Sequence, residues 1–160
     1  MSVANFQALC DGFCAAANAP APQVAPDNQG VMVFSTTIAE VAINIMHTPE
    51  THPDSAFVLI DFGPPPAERE AEALRALLLV NFTMLGEDTA STFSIHPIYG
   101  NVTLQAKYPF QGRSGVELLR SVRVLVAMAL QWRETHFLQT PSQSPIQQAG
   151  HPDARLGAFA

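Results

Sequence analysis

The chain has 160 residues, 48% hydrophobic and only 14% charged, with eight Lys and Arg against fourteen Asp and Glu for a net charge of −6. That length suits a single domain burying about 70% of its unfolded surface, and a charged share below the about 25% of ordinary domains leaves more apolar side chains than one small core uses. Every Lys and Arg stands alone, which excludes a nucleic-acid footprint; no apolar run is long enough to span a membrane, and the first residues lack the basic, apolar and cleavage regions of a signal peptide.

A helix is predicted from Ser2 to about Ala17, with Val3, Phe6, Leu9, Cys10, Phe13, Cys14 and Ala17 on one stripe and Gln7, Asp11 and Asn18 opposite. Cys10 and Cys14 lie one turn apart on that stripe. This spacing suits a disulfide poorly, and both read as small buried apolar residues. Ala19–Gly30 carries Pro20, Pro22 and Pro26 with Asn28 and Gly30, so it is a loop. Three strand-like runs follow at Val31–Thr36, Glu40–His47 and Ala56–Phe62, the last two joined by the loop Thr48–Ser55, and they imply an antiparallel meander.

Gly63-Pro64-Pro65-Pro66 stops the third strand, and a helix is predicted over Ala67–Leu85, with Glu68, Glu70 and Glu72 where its dipole favours negative charge. Ala73, Leu74, Leu77, Leu78, Val80, Phe82, Met84 and Leu85 cover roughly 200° of this helix, about twice what a helix capping a sheet needs. Too short a chain for three layers makes self-association the better explanation. Leu74, Leu77, Leu78 and Phe82 are the candidate dimer residues. Asn81 is the one polar side chain inside the arc, and a hydrogen-bonded position near the helix end explains it.

Thr92–His96 and Val102–Tyr108 form a hairpin about Pro97–Asn101, with Val102, Leu104, Ala106 and Tyr108 facing inward. A last helix runs from Arg113 or Ser114 to about His136. Leu118, Leu119, Val122, Leu125, Val126, Ala129, Leu130 and Trp132 face one way, and Glu117, Arg120, Arg123, Gln131 and Glu134 the other. From Gln139 the chain turns to Pro, Ser, Gln and Gly, a loose tail. The sequence thus divides into an α+β domain over 1–138, in the order α-β-β-β-α-β-β-α with a twisted antiparallel sheet and packed helices, and a tail over 139–160.

Nothing in this order resembles a catalytic site. His47, His52, His96, His136 and His151 are scattered, and even the closest pair, His47 and His52, spans a Pro-containing loop, so no metal centre is expected. The three glutamates of the wide helix read as a solvated first turn. Cys10 and Cys14 have only Asp11 and alanines nearby, with no base to activate a thiolate. A Gly-rich phosphate loop and a G-x-S-x-G elbow are both missing from the sequence. No enzyme and no cofactor are expected.

The segment LLLVNFTMLGEDTASTFSIHPIYGNVTLQAKYPF, followed by ELLRSVRVLVAMALQWR, resembles the class I type III secretion chaperones, the Tir-chaperone (CesT-like) family. The shared pattern is a leucine-rich helix with an Asn near its end, a hairpin F-x-I-x-P-x-x-G-x-V-x-L, and a long helix. It covers Leu74–Trp132, and the order of elements extends it to Val3. The resemblance implies a cytoplasmic, non-enzymatic homodimer that holds an extended segment near the N-terminus of a secreted effector.

Val58, Ile60 and Phe62 on one side of the third strand, with Phe57 and Leu59 on the other, leave it no polar face, and Met32, Phe34, Ile43 and Ile45 add further apolar area. Alternation therefore nominates Phe6, Met32, Phe34, Ile43 and Ile45 as partner-binding anchors on an open surface. The alternative is a dimeric sensor in which the surplus apolar residues enclose a small-molecule pocket.

Overall fold

The structure is a computed structural model and describes residues 2–84 and 91–138. The elements are α1 (Ser2–Ala16), β1 (Met32–Ile38), β2 (Val41–His47), β3 (Ser55–Gly63), α2 (Glu70–Thr83), β4 (Ser91–Ile95), β5 (Val102–Pro109) and α3 (Gly115–Thr135), in the order expected. The expected end of α2 at Leu85 and Gly86, and the tail over 139–160, lie outside the described residues.

The strands form one antiparallel sheet in the order β1-β2-β3-β5-β4. Its register stacks like with like: Ile43 pairs with Ile60, Ile60 with Leu104, and Leu104 with Phe93. One face of these rows is covered by α1 and α3 and holds the core, including Phe6, Phe13, Ile43, Ile45, Ile60, Phe62, Leu104, Leu118 and Trp132. The two helices close on each other at Gly12 and Gly115. A Cβ on Gly115 would run into the α1 backbone at Leu9, Gly12 and Phe13. Only glycine permits that approach.

The end of β3 is pinned from α3. A register shift falls between Asp61 and Gly63, where Gly63 takes φ +92°. The Arg133 guanidinium donates to the carbonyls of Glu40 (3.1 Å), Asp61 (3.1 Å) and Phe62 (3.2 Å), and Asn101 Nδ2 donates to both Asp61 carboxylate oxygens at 3.0 Å. The bulge thereby has its backbone acceptors satisfied by side chains.

Two expectations change. The helix predicted from Ala67 begins at Glu70, because the proline run and a turn take up the chain to Arg69; Glu68 thus falls before the helix. Phe6, Met32, Phe34, Ile43 and Ile45, nominated as open-surface anchors, are all buried. Strand alternation separates two faces without saying which is inside, and α1 with α3 together cover the face that carries them. The opposite face, with Val33, Ala42, Asn44, Met46 and Leu59, is the open one.

Candidate functional site

The most promising binding surface begins at β1, an edge strand that pairs only with β2 among the described residues. An unpaired edge presents N–H and C=O groups to an incoming chain. Beside it opens a groove of about 450 Å³ between the end of α1, the Ala19-Pro20 loop, β1 and α3, lined by Phe13, Cys14, Ala17, Phe34, Thr36, Thr37, Ile38, Leu119 and Arg123. Leu119 and Arg123 also line a second groove, about 490 Å³, that runs along the outer side of α1 and α3 past Ala16, Val116, Arg120, Val124 and Ala127. The two are continuous through those shared side chains. Of the five nominated anchors only Phe34 reaches this surface, as part of the groove floor, held by an edge-on contact with Phe13 at 5.8 Å.

A second apolar surface lies on α2. The helix buries only Ala73 and Leu77 and leaves Leu78 68%, Leu79 65% and Phe82 76% exposed. Leu74 and Leu78 line a groove of about 270 Å³ against Phe93 and Ile95 of β4. Leu77, nominated for the dimer, is buried in the core of its own chain, about 100° round the helix from exposed Leu78. Asn81 does what a hydrogen-bonded residue near the helix end should: its Oδ1 accepts from Phe93 N (2.7 Å) and its Nδ2 donates to Phe93 O (3.2 Å). The amide occupies the outer edge of β4 as a neighbouring strand would, fixing α2 against the sheet.

Chemistry is sparse elsewhere. Among the described residues no three His, Cys, Asp or Glu side chains gather as a metal site. His47 is buried at the end of β2, because the alternation of β2 carries it inward between the rings of Phe6 (5.3 Å) and Phe110 (5.0 Å). Its Nδ1 lies 2.9 Å from Ser55 O and donates to that carbonyl, while Nε2 has no hydrogen-bond partner among the described residues. His52 stays on the loop beside the hydroxyls of Thr48 and Thr51. Burial, with Cys14 and Asp11 adding to it, pushes the Cys10 thiol up to about 12, and burial also raises Cys14. Neither is a thiolate nucleophile at neutral pH. No helix among the described residues is long and apolar enough to cross a membrane.

What the sequence reading missed is the outer groove. Arg120 and Arg123 lie on the face opposite the apolar stripe of the helix, yet Val116, Val124 and Ala127 share that face. Two exposed valines among the charges were the available signal.

Over residues 9–133 the chain matches the Tir chaperone protein (CesT) family. It belongs to that family of type III secretion chaperones. No curated protein matches the chain. The fold is shared with the ExsC–ExsE complex (18% identity, 83% of this chain and 92% of that one, TM-score 0.61). It is also shared with the HopA1–SchA chaperone–effector complex (16% identity, 84% and 97%, TM-score 0.60). A third likeness is to the ExoT–SpcS complex from Pseudomonas aeruginosa (15% identity, 79% and 96%, TM-score 0.54).

Proposed function

We propose that this chaperone works in the cytoplasm as a homodimer, without catalysis or cofactor, and holds an extended segment near the N-terminus of an effector protein so that it stays competent for secretion. The observation that carries the reading is the free edge of β1 beside a continuous apolar groove. A segment added to that edge gains main-chain hydrogen bonds, and every second side chain drops toward Phe34, Ile38 and Leu119. One of the structures sharing the fold is a chaperone–effector complex, which supports the same use of the fold here.

The second copy has a different seat. Leu78 and Phe82 stand exposed on α2 with Leu74 half-buried beside them, and pairing two such stripes would remove the largest exposed apolar side chains of the helix from water. The groove and the stripe lie on opposite sides of the sheet order, at β1 and at β4, so both can be filled at once.

Capture of the effector from the native host, followed by hydrogen exchange on the purified complex, tests the reading. The expected result is slowed exchange at β1 amides and protection of one short N-terminal stretch of the effector. Protection confined to the open sheet face, or a partner protected throughout as a folded domain, would overturn it.

A further inference from the structure

We infer that the segment bound in the groove carries an acidic side chain next to its apolar anchors, received by Arg120 and Arg123; this rests on the groove being the effector site. The chain has a net charge of −6, yet no carboxylate lines either half of the groove. The charged side chains that do line it are Arg120 and Arg123, and Arg123 belongs to both halves. Both are exposed, and neither makes an ion pair among the described residues.

Their placement on α3 is unfavourable to the helix alone. Arg120 and Arg123 are three apart, where like charges repel, and Arg123 has Arg120, Leu119, Val126 and Ala127 at its helical neighbour positions, with no acid among them. Glu117 is the one carboxylate a turn from Arg120 and feels its charge, but its Oε2 accepts from Ser114 N (2.8 Å) and Ser114 Oγ (2.9 Å) in the capping box, and it makes no ion pair with Arg120. An anion supplied from outside resolves the repulsion and needs no rearrangement. Val116, Leu119 and Val124 flank the arginines, so the matching ligand is an apolar peptide with a carboxylate rather than a plain polyanion. Arginine is suited to this position because its planar fork holds a carboxylate through two parallel bonds while its stem packs on apolar neighbours.

The probe is a displayed library of random peptides about twelve residues long, enough to run the seven residues of β1 and continue along the groove. It is selected separately on the wild-type chain and on the Arg120→Glu/Arg123→Glu variant, both checked for folding by circular dichroism. Wild type should select peptides with alternating large apolar residues and Asp or Glu enriched about threefold. The reversed variant should bind those peptides about fivefold or more weakly and select Lys or Arg instead. Arg120→Gln/Arg123→Gln should fall between the two. Apolar peptides with no acidic enrichment and equal affinity for all three proteins would overturn the acidic requirement while leaving the groove reading in place. Selection of acid-rich peptides without apolar residues would overturn it too, as charge adsorption alone. Failure to select any peptide above background would remove the groove reading itself.

Discussion

The helices α2 and α3 are made of similar residues and are held in opposite ways. α3 begins with a complete capping box, in which the Ser114 side chain accepts from Glu117 N and Glu117 answers on Ser114, and it buries Leu118, Leu119, Val122, Val126, Ala129 and Trp132 against the sheet and α1. α2 begins at Glu70 behind Arg69, which supplies no side-chain cap, and it buries two residues. Besides Ala73 and Leu77, its hold on the rest of the chain is Asn81 at the edge of β4, with the Arg69–Glu72 ion pair exposed to solvent. One helix is completed by its own chain; the other presents Leu78, Leu79 and Phe82 as though a surface were still to come. A leucine-rich segment is therefore no guide to the core by itself: α2 carries more leucine per turn than α3 and contributes less to the interior.

The comparison breaks most visibly where α3 meets α1. Gly115→Ala places a methyl group into the α1 backbone, which cannot retreat without uncoupling the two helices. It should cost about 3 kcal/mol or more and lower the thermal midpoint by roughly 10 °C, or leave the protein insoluble. Ile45→Asp belongs with it, since an unpaired carboxylate at a fully buried sheet position should prevent folding altogether. Thermal denaturation followed by circular dichroism reads both. A folded Ile45→Asp protein would mean that the β2 face is accessible after all.

On α2 the expected effect is on assembly. Leu78→Asp and Phe82→Asp sit at exposed positions, so each chain should keep its helical signal while light scattering shows monomer in place of dimer. Soluble dimers of unchanged stability from both variants would exclude this stripe as the interface. Asn81→Ala separates the two roles of the helix: it removes two hydrogen bonds to Phe93 and should cost about 1–2 kcal/mol through the chain itself.

The helix starts give a smaller contrast. Ser114→Ala removes a cap from α3 and should cost about 1 kcal/mol, whereas Arg69→Ala, at the uncapped start of α2, should leave the midpoint unchanged within error. Equal effects would show that α2 depends on its first turn more than its exposure implies.

The order of elements was legible because its plainest elements have a clean period, 3.6 in Leu118–Trp132 and two in Val102–Tyr108, and the rest are bounded by proline and glycine. The family resemblance rested on the same half of the chain and holds. The site was not legible, for a specific reason. Val41, Ile43 and Ile45 alternate with Ala42 and Asn44 whichever face is covered, and the choice of face is made by α1 and α3 far away in sequence. The exposed stripe of α2 was legible, because an apolar arc too wide to bury on one side has to leave part outside; Leu77, inside that arc, simply fell on the inner side. Arg120 and Arg123 were hidden by the ordinary meaning of arginine on an outer helix face, and only the groove beside them changes it.

The smallest effect is expected beyond α3. The chain leaves that helix through His136 and Phe137, both with positive φ, and Phe137 packs its ring against Trp132 at 5.4 Å and Phe93 at 6.2 Å. Leu138 is packed against the core as well. After Gln139 the only large apolar residues are Ile146, Leu156 and Phe159, too few to offset the conformational entropy of ordering over twenty residues. Truncation after Leu138 should therefore leave the dimer intact and shift the midpoint by less than about 2 °C. Moving the cut back three residues, to Thr135, removes Phe137 from its place against Trp132 and Phe93 and should cost about 2–3 kcal/mol. Calorimetry on the two truncations locates the end of the folded unit. A fall of several degrees already with the longer chain would put the boundary beyond Leu138 and give the tail a docking site.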